Sequence, residues 1–144
     1  MTDWTETDLA YLAGFIDGEG SICIFGYHGR RHSALRLQAY NTNRDVLDWI
    51  ALTFGGRVHV VKRRRSSWRQ SFAWQISGQH AVPIIEQCMP YFRIKAQQAK
   101  LFLEVAATLN QRGNHTAIAT DILEYRRTAA RRISALNRGE PDAG

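Results

Sequence analysis

Apolar residues recur along this chain at two periods, and the switches between them mark out its elements. Leu9, Leu12, Ala13 and Ile16 fall at helical spacing behind Thr5 or Thr7, either of which can cap a helix, and Gly18 and Gly20 are expected to stop it. From Ser21 to Tyr27 the pattern turns strand-like, and Gly29 to His32 reads as a basic turn. Ala34 to Asn41 alternates, with Leu35, Leu37 and Ala39 on one face and Arg36, Gln38 and Tyr40 on the other. The helical period returns at Val46, Leu47, Ile50, Ala51 and Phe54, beginning near Asn43 and closing at Gly55-Gly56. A second hairpin is expected from Arg57 to Arg65 and Trp68 to Ser77 around Ser66-Ser67, with Phe72, Trp74 and Ile76 set against Ser71, Ala73 and Gln75. After Gly78 the spacing predicts helices over Ala81–Cys88 and Lys95–Asn110, divided by Pro90. A last helix over Thr116–Ala135 has Ile118, Ile122, Tyr125 and Ile133 apolar and arginines outside.

The order is αββαββ followed by helices, an α+β fold in which four antiparallel strands keep one polar face and are backed by helices on the other. Strands of about nine residues would reach roughly 30 Å, enough to follow most of a turn of duplex. The 144 residues suffice for one domain, read as residues 1–136, with a frayed tail over 137–144.

Composition narrows the class. Hydrophobic residues are 44% and charged residues 22%, which fits a globular chain and excludes disorder, collagen and coiled coil. No run approaches the roughly 20 apolar residues of a spanning helix, and the acidic start (Asp3, Glu6, Asp8) is the opposite of a secretory leader, so neither membrane nor secretion is expected. Cys23 and Cys88 have neither zinc-site spacing nor disulfide density and read as reduced thiols in an intracellular compartment, cytoplasmic or organellar.

Charge is unevenly spread. Residues 1–22 hold five acids and no Lys or Arg, whereas residues 23–78 hold ten bases against Asp45 and Asp48 alone, more than the whole chain's net +6. Sixteen of the nineteen bases are Arg, whose planar fork suits phosphates and guanine edges. On the polar face of the expected sheet stand Arg36, Gln38, Arg57, His59, Arg63, Arg69, Ser71 and Gln75, donors and acceptors able to read base edges. Such a face points to nucleic acid. A helix-turn-helix reader is disfavoured, because the bases concentrate on strands. The five histidines are scattered, with only His59 placed to contact DNA, and the arginines of the last helix read as a solvated face or a flanking contact.

The first helix carries the chemistry. Ala10, Gly14 and Gly18 recur every four residues, leaving one side nearly bare so that another backbone can approach. A glycine inside a helix costs about 1 kcal/mol against Ala, so Gly14 needs such a reason. Glu19, between two glycines, presents a carboxylate beside the carbonyl of Gly18, hard oxygens of the kind Mg²⁺ prefers.

The string Leu12 to Gly20, LAGFIDGEG, followed by Ser21-Ile22, resembles the signature of the LAGLIDADG homing endonucleases. Asn41-Thr42-Asn43, Phe54-Gly55-Gly56-Arg57-Val58, Ile76-Ser77-Gly78 and Pro90-Tyr91-Phe92-Arg93-Ile94-Lys95 look like further landmarks, so the resemblance covers the chain to about residue 110. A single signature implies the homodimeric branch, with Ala10, Tyr11, Gly14 and Gly18 at the interface of two motif helices. The fold implied is a four-stranded antiparallel saddle, αββαββα. Glu19 matches the metal-binding acid, where the family name has Asp, with Gly18 adding its carbonyl. Lys95 looks like the basic residue near the scissile phosphate, Asn41 lies near a water-orienting position, and Asp17 matches the structural acid.

The implied activity is hydrolysis of one phosphodiester per strand of a pseudo-palindromic DNA duplex, with Mg²⁺ as cofactor and Mn²⁺ able to substitute, leaving 3′ overhangs. Arg30, Arg31, Arg64 and Arg65 would hold phosphates, Tyr27 and Trp68 add apolar contacts, and Val61 is a further expected DNA contact. The rival readings are a non-cleaving DNA-binding regulator, which would have discarded Glu19 and Lys95, and a maturase acting on intron RNA.

Overall fold

The computed structural model describes residues 3–25, 34–109 and 120–142. Thr5, not Thr7, caps the first helix, α1 (Glu6–Glu19). Its hydroxyl accepts from the Asp8 amide at 3.1 Å, while the Asp8 carboxylate accepts from the Thr5 amide at 3.4 Å. Leu9, Leu12, Ala13 and Ile16 form the buried face that their spacing predicts. Gly18, however, does not stop the helix. The helix continues through Glu19 and ends at Gly20, whose amide still reaches the Ile16 carbonyl. Gly20 is demanded by closeness: a Cβ there would sit 2.7 Å from the Gln38 carbonyl oxygen and 2.9 Å from Ile16 Cα.

The chain then runs through β1 (Gly20–Phe25), β2 (Ala34–Asn41), α2 (Arg44–Phe54), β3 (Arg57–Val60), β4 (Phe72–Ser77), α3 (Val82–Cys88), α4 (Ala96–Leu109) and α5 (Thr120–Asn137). The four strands form one antiparallel sheet in the order β1-β2-β4-β3, so the α+β expectation holds. Alternation places Ile22, Ile24, Leu35, Leu37, Ala39, Trp74 and Ile76 on one face, all buried. Against it α4 and α5 pack on β1, α1 on β2 and α2 on β4. The opposite face stays open.

The second hairpin is shorter than expected. β3 has four residues and β4 six, so β3 spans roughly 13 Å instead of 30 Å. One more rung forms, the Val61 amide donating to the Ser71 carbonyl at 3.0 Å, and the Gln70 side chain then donates to the carbonyls of Val61 and Ser71. Extending the observed register would set Arg63 directly across from Arg69, and like charges facing across a ladder destabilise it.

The turn into β3 rests on two glycines with left-handed backbone, Gly55 at φ +90° and Gly56 at φ +92°. The indole of Trp74, fully buried, donates to the Gly55 carbonyl at 2.8 Å. A Cβ on Gly56 would meet that nitrogen at 2.7 Å and the Gln75 carbonyl oxygen at 2.6 Å. Gly56→Ala is therefore expected to lower stability by about 3 kcal/mol, through backbone strain plus the clash. Urea denaturation followed by tryptophan fluorescence measures this; a loss under about 1 kcal/mol would mean the turn relaxes freely.

The last helix departs from its expected face. Ala129, Ala130 and Ile133 are buried together with Arg126, only 3% exposed, while Tyr125 is outside at 40%. Arg126 donates to the hydroxyl and carbonyl of Thr108, closing the end of α4, so it does not belong to a solvated arginine face. Nor does the chain fray at Asn137. That residue is helical and donates to the Ile22 carbonyl at 3.0 Å, and the segment after it returns to form an Arg132–Asp142 ion pair at 2.7 Å. The expected start of this helix, at Thr116, lies outside the described residues.

Both cysteines are free, and burial pushes the Cys88 thiol up to about 12. Among the described residues no helix is long and apolar enough to cross a membrane.

Candidate functional site

Two features meet at one end of the sheet: the C-terminus of α1 and the open face of the strands. Along α1 the residues Ala10, Tyr11, Gly14, Gly18 and Glu19 are exposed on the side turned away from the core. A Cβ on Gly14 or Gly18 would meet nothing within 4 Å. Nothing within the described chain demands either glycine, so the bare stripe is open to an external partner.

The two acids of the signature have separate tasks. The Asp17 carboxylate accepts from the backbone amides of Arg93 at 2.9 Å and Lys95 at 3.0 Å, binding the segment before α4 to the end of α1. The Lys95 ammonium donates to the Asp17 carbonyl at 2.8 Å. Lys95 thus stands beside the last turn of α1, at Asp17, two residues before Glu19. Glu19 is exposed, and among the described residues no hydrogen bond or ion pair engages its carboxylate.

The donor set here fits a hard cation. A free carboxylate and the final carbonyls of a helix, including that of Gly18, belong to the negative end of the α1 dipole, and the last turn contains no basic residue. Among the described residues no cluster of three His, Cys, Asp or Glu assembles.

Asn41 ends β2 and pairs with Phe72, two residues past the Gly20–Ala39 pair that starts β1. Its side-chain oxygen accepts from the Asn43 amide at 2.7 Å, and Asn43 in turn caps α2 by accepting from the Val46 amide at 3.2 Å. The Asn41 oxygen is thereby committed to the turn, and no hydrogen bond among the described residues engages its amino group.

On the open face the register aligns side chains in rows across the strands. Ser21, Gln38, Gln75 and Arg57 form one row, Cys23, Arg36 and Ser77 a second, and Tyr40, Ala73 and His59 a third, with Val61 and Ser71 beyond them. Of the expected readers, Arg36, Gln38, Arg57, His59, Ser71 and Gln75 therefore share one face. Gln38 donates to the Ser21 hydroxyl at 3.0 Å, which orients its amide, and the Arg36 guanidinium lies 4.9 Å above the centre of the Phe25 ring. Ser21 and Phe25 are contributors that the sequence reading left unassigned; their signal was the alternation of Ser21, Cys23 and Phe25 with Ile22 and Ile24.

Arg64, Arg65 and Arg69 are exposed in the hairpin beyond the sheet. Arg63 instead donates to the carbonyls of Ser66 and Trp68, at 3.3 Å and 3.2 Å, so it holds the hairpin tip together. Tyr27, Arg30 and Arg31, expected at the tip of the first hairpin, lie outside the described residues.

Neither a family model nor a curated protein matches the sequence. Solved structures do match the fold. The homing endonuclease I-CvuI in complex with the I-CreI target superposes with a TM-score of 0.72 at 22% identity, over 91% of this chain and 82% of that one. The archaeal intron-encoded homing endonuclease I-Vdi141I, complexed with DNA, gives 0.69 at 17% identity over 96% of this chain and 87% of that one. The I-SmaMI LAGLIDADG homing endonuclease bound to cleaved DNA gives 0.66 at 17% identity, over 98% of this chain but only 47% of that one. With its LAGFIDGEG string on the helix that delivers the free carboxylate, this chain has the fold of the LAGLIDADG homing endonucleases.

Proposed function

We propose that this protein is a site-specific DNA endonuclease that acts as a homodimer on a pseudo-palindromic duplex and cuts each strand once. The observation that carries this reading is the unpaired carboxylate of Glu19 at the end of α1, beside an open sheet face lined with Arg and Gln. The neighbours named above are DNA complexes, which supports duplex DNA as the substrate.

In this mechanism the α1 stripe of Ala10, Tyr11, Gly14 and Gly18 meets its counterpart across a two-fold axis, bringing two Glu19 carboxylates to the centre of the target. Glu19 and the Gly18 carbonyl would hold Mg²⁺, or Mn²⁺ in its place, and the bound ion would supply Lewis-acid activation of water and charge stabilisation for the leaving 3′-oxygen. Lys95, held beside them by the Asp17 carbonyl, offers an ammonium to the scissile phosphate. The Asn41 amino group orients the attacking water. Arg36, Gln38, Arg57, His59, Ser71 and Gln75 read base edges in the major groove, and Arg64, Arg65 and Arg69 hold phosphates. Cleavage leaves short 3′ overhangs.

The test is selection of cleaved molecules from a duplex library with a randomised core, in the presence of Mg²⁺. A single pseudo-palindromic site cut on both strands is the expected result. Binding without any cut in Mg²⁺ or Mn²⁺ would instead make the protein a DNA-binding regulator.

A further inference from the structure

The hairpin joining β3 to β4 leaves the sheet at one particular end. Phe72 pairs with both Asn41 and Val60, and Ala39 pairs with Gly20. Residues 61–71 therefore project past the end of the sheet where α1 passes into β1, the end that carries Glu19. Lys62, Arg63, Arg64, Arg65 and Arg69 fall in this segment, and no acid does. Five cations so close repel one another, so a defined tip needs internal ties. They are present: the Arg63 guanidinium donates to two carbonyls of the turn, the Trp68 amide donates to the Arg65 carbonyl at 3.1 Å, and Gln70 closes the base.

What this framework holds outward is an indole. Trp68 is 51% exposed, and the Arg65 guanidinium carbon lies 5.9 Å from its ring centre. The other three tryptophans are buried or half-buried: Trp74 in the core, Trp4 and Trp49 packed against it. Trp68 has no such packing role. An aromatic ring presented to water on a cationic, internally tied tip matches the chemistry of a polyanion that also offers apolar surface.

We propose that Trp68 is a specificity-determining residue that contacts base edges next to the centre of the DNA target, including the methyl group of a thymine, while Arg64 and Arg65 hold the adjacent phosphates. The inference rests on the DNA reading above and adds a position: the tip works beside the scissile bonds, not on the outer flanks. Trp68 touches no reacting atom, so its role is recognition.

The experiment enriches bound duplexes from a randomised library in EDTA, which removes cleavage from the readout, and compares the parent with Trp68→Ala and Trp68→Phe. Both variants change an exposed side chain, and circular dichroism checks that they fold. The parent is expected to enrich a palindrome. Trp68→Ala should lose preference at the base pairs nearest its centre, keep the outer preferences, and bind the parent's site roughly five- to a hundredfold more weakly. Trp68→Phe should restore most of the central preference. Unchanged central preference in Trp68→Ala, or a loss confined to outer positions, overturns the assignment while leaving the DNA reading intact. If the parent enriches no duplex, or an RNA duplex of the enriched sequence competes better than the DNA, both readings fall together.

Discussion

Glu19→Gln is expected to abolish double-strand cleavage while leaving folding and DNA affinity nearly unchanged. The substitution keeps the size of the side chain and removes its negative charge at the C-terminal end of α1, where the carboxylate is exposed and unpaired. A neutral amide oxygen is a much poorer ligand for a hard divalent cation. Loss of about 4 kcal/mol of charge stabilisation in the transition state corresponds to a fall of roughly a thousandfold in rate. Binding should move by only a few-fold, because the side chains proposed to read bases sit on the strands and not on α1. Single-turnover cleavage of the selected site measures the first effect, and gel mobility in EDTA measures the second. Cleavage within tenfold of the parent would remove Glu19 from the mechanism. Asp17→Asn is the informative contrast, since that carboxylate is already occupied by the amides of Arg93 and Lys95. Its loss should appear in stability before it appears in chemistry.

The division of labour between these two acids shows what a linear reading can and cannot reach. Helical spacing was enough to bury Leu9, Leu12 and Ile16 and to expose the stripe of Ala10, Gly14 and Gly18, because the pattern and the burial are both local to one helix. Alternation placed Leu35, Leu37 and Ala39 inside and Arg36 and Gln38 outside for the same reason. The clamp of Asp17 on Lys95 spans 78 residues, and only the resemblance to a known signature suggested that these positions belong together. Arg126 was misjudged because the carbonyl it satisfies, that of Thr108, belongs to another helix end. Arg63 shows the same limit on a smaller scale: composition counts its charge toward DNA, and the hydrogen bonds it gives to the turn appear only in the tip geometry. A run of basic residues specifies a partner's charge without saying which arginine is free to meet it. The strands of the second hairpin were overextended for a related reason, since alternation continues past the point where facing arginines end the ladder.

Gly14→Leu should have effects of opposite sign on the single chain and on the assembly. Within the chain the position is helical, exposed and free of neighbours within 4 Å, so replacing glycine with a good helix former is expected to stabilise the monomer by about 1 kcal/mol. If α1 meets its symmetry mate along the Ala10–Gly14–Gly18 stripe, an isobutyl group at that point holds the helices apart, because close helix contacts depend on what stands between the backbones. The protein should then sediment as a monomer at concentrations where the parent is a dimer, unfold at a higher temperature than a dissociated parent, and fail to cut both strands of its site. Gly20→Ala is the internal control. There a methyl group would strike the Gln38 carbonyl and the backbone of Ile16, so the same class of substitution destabilises the chain itself whatever its oligomeric state. A Gly14→Leu protein that keeps the dimer mass and is merely more stable would place the interface elsewhere, and would leave the glycine without a physical reason. Loss of the dimer together with a gain in monomer stability accounts for it, because it shows the helix giving up intrinsic stability for a surface that only a second copy can use.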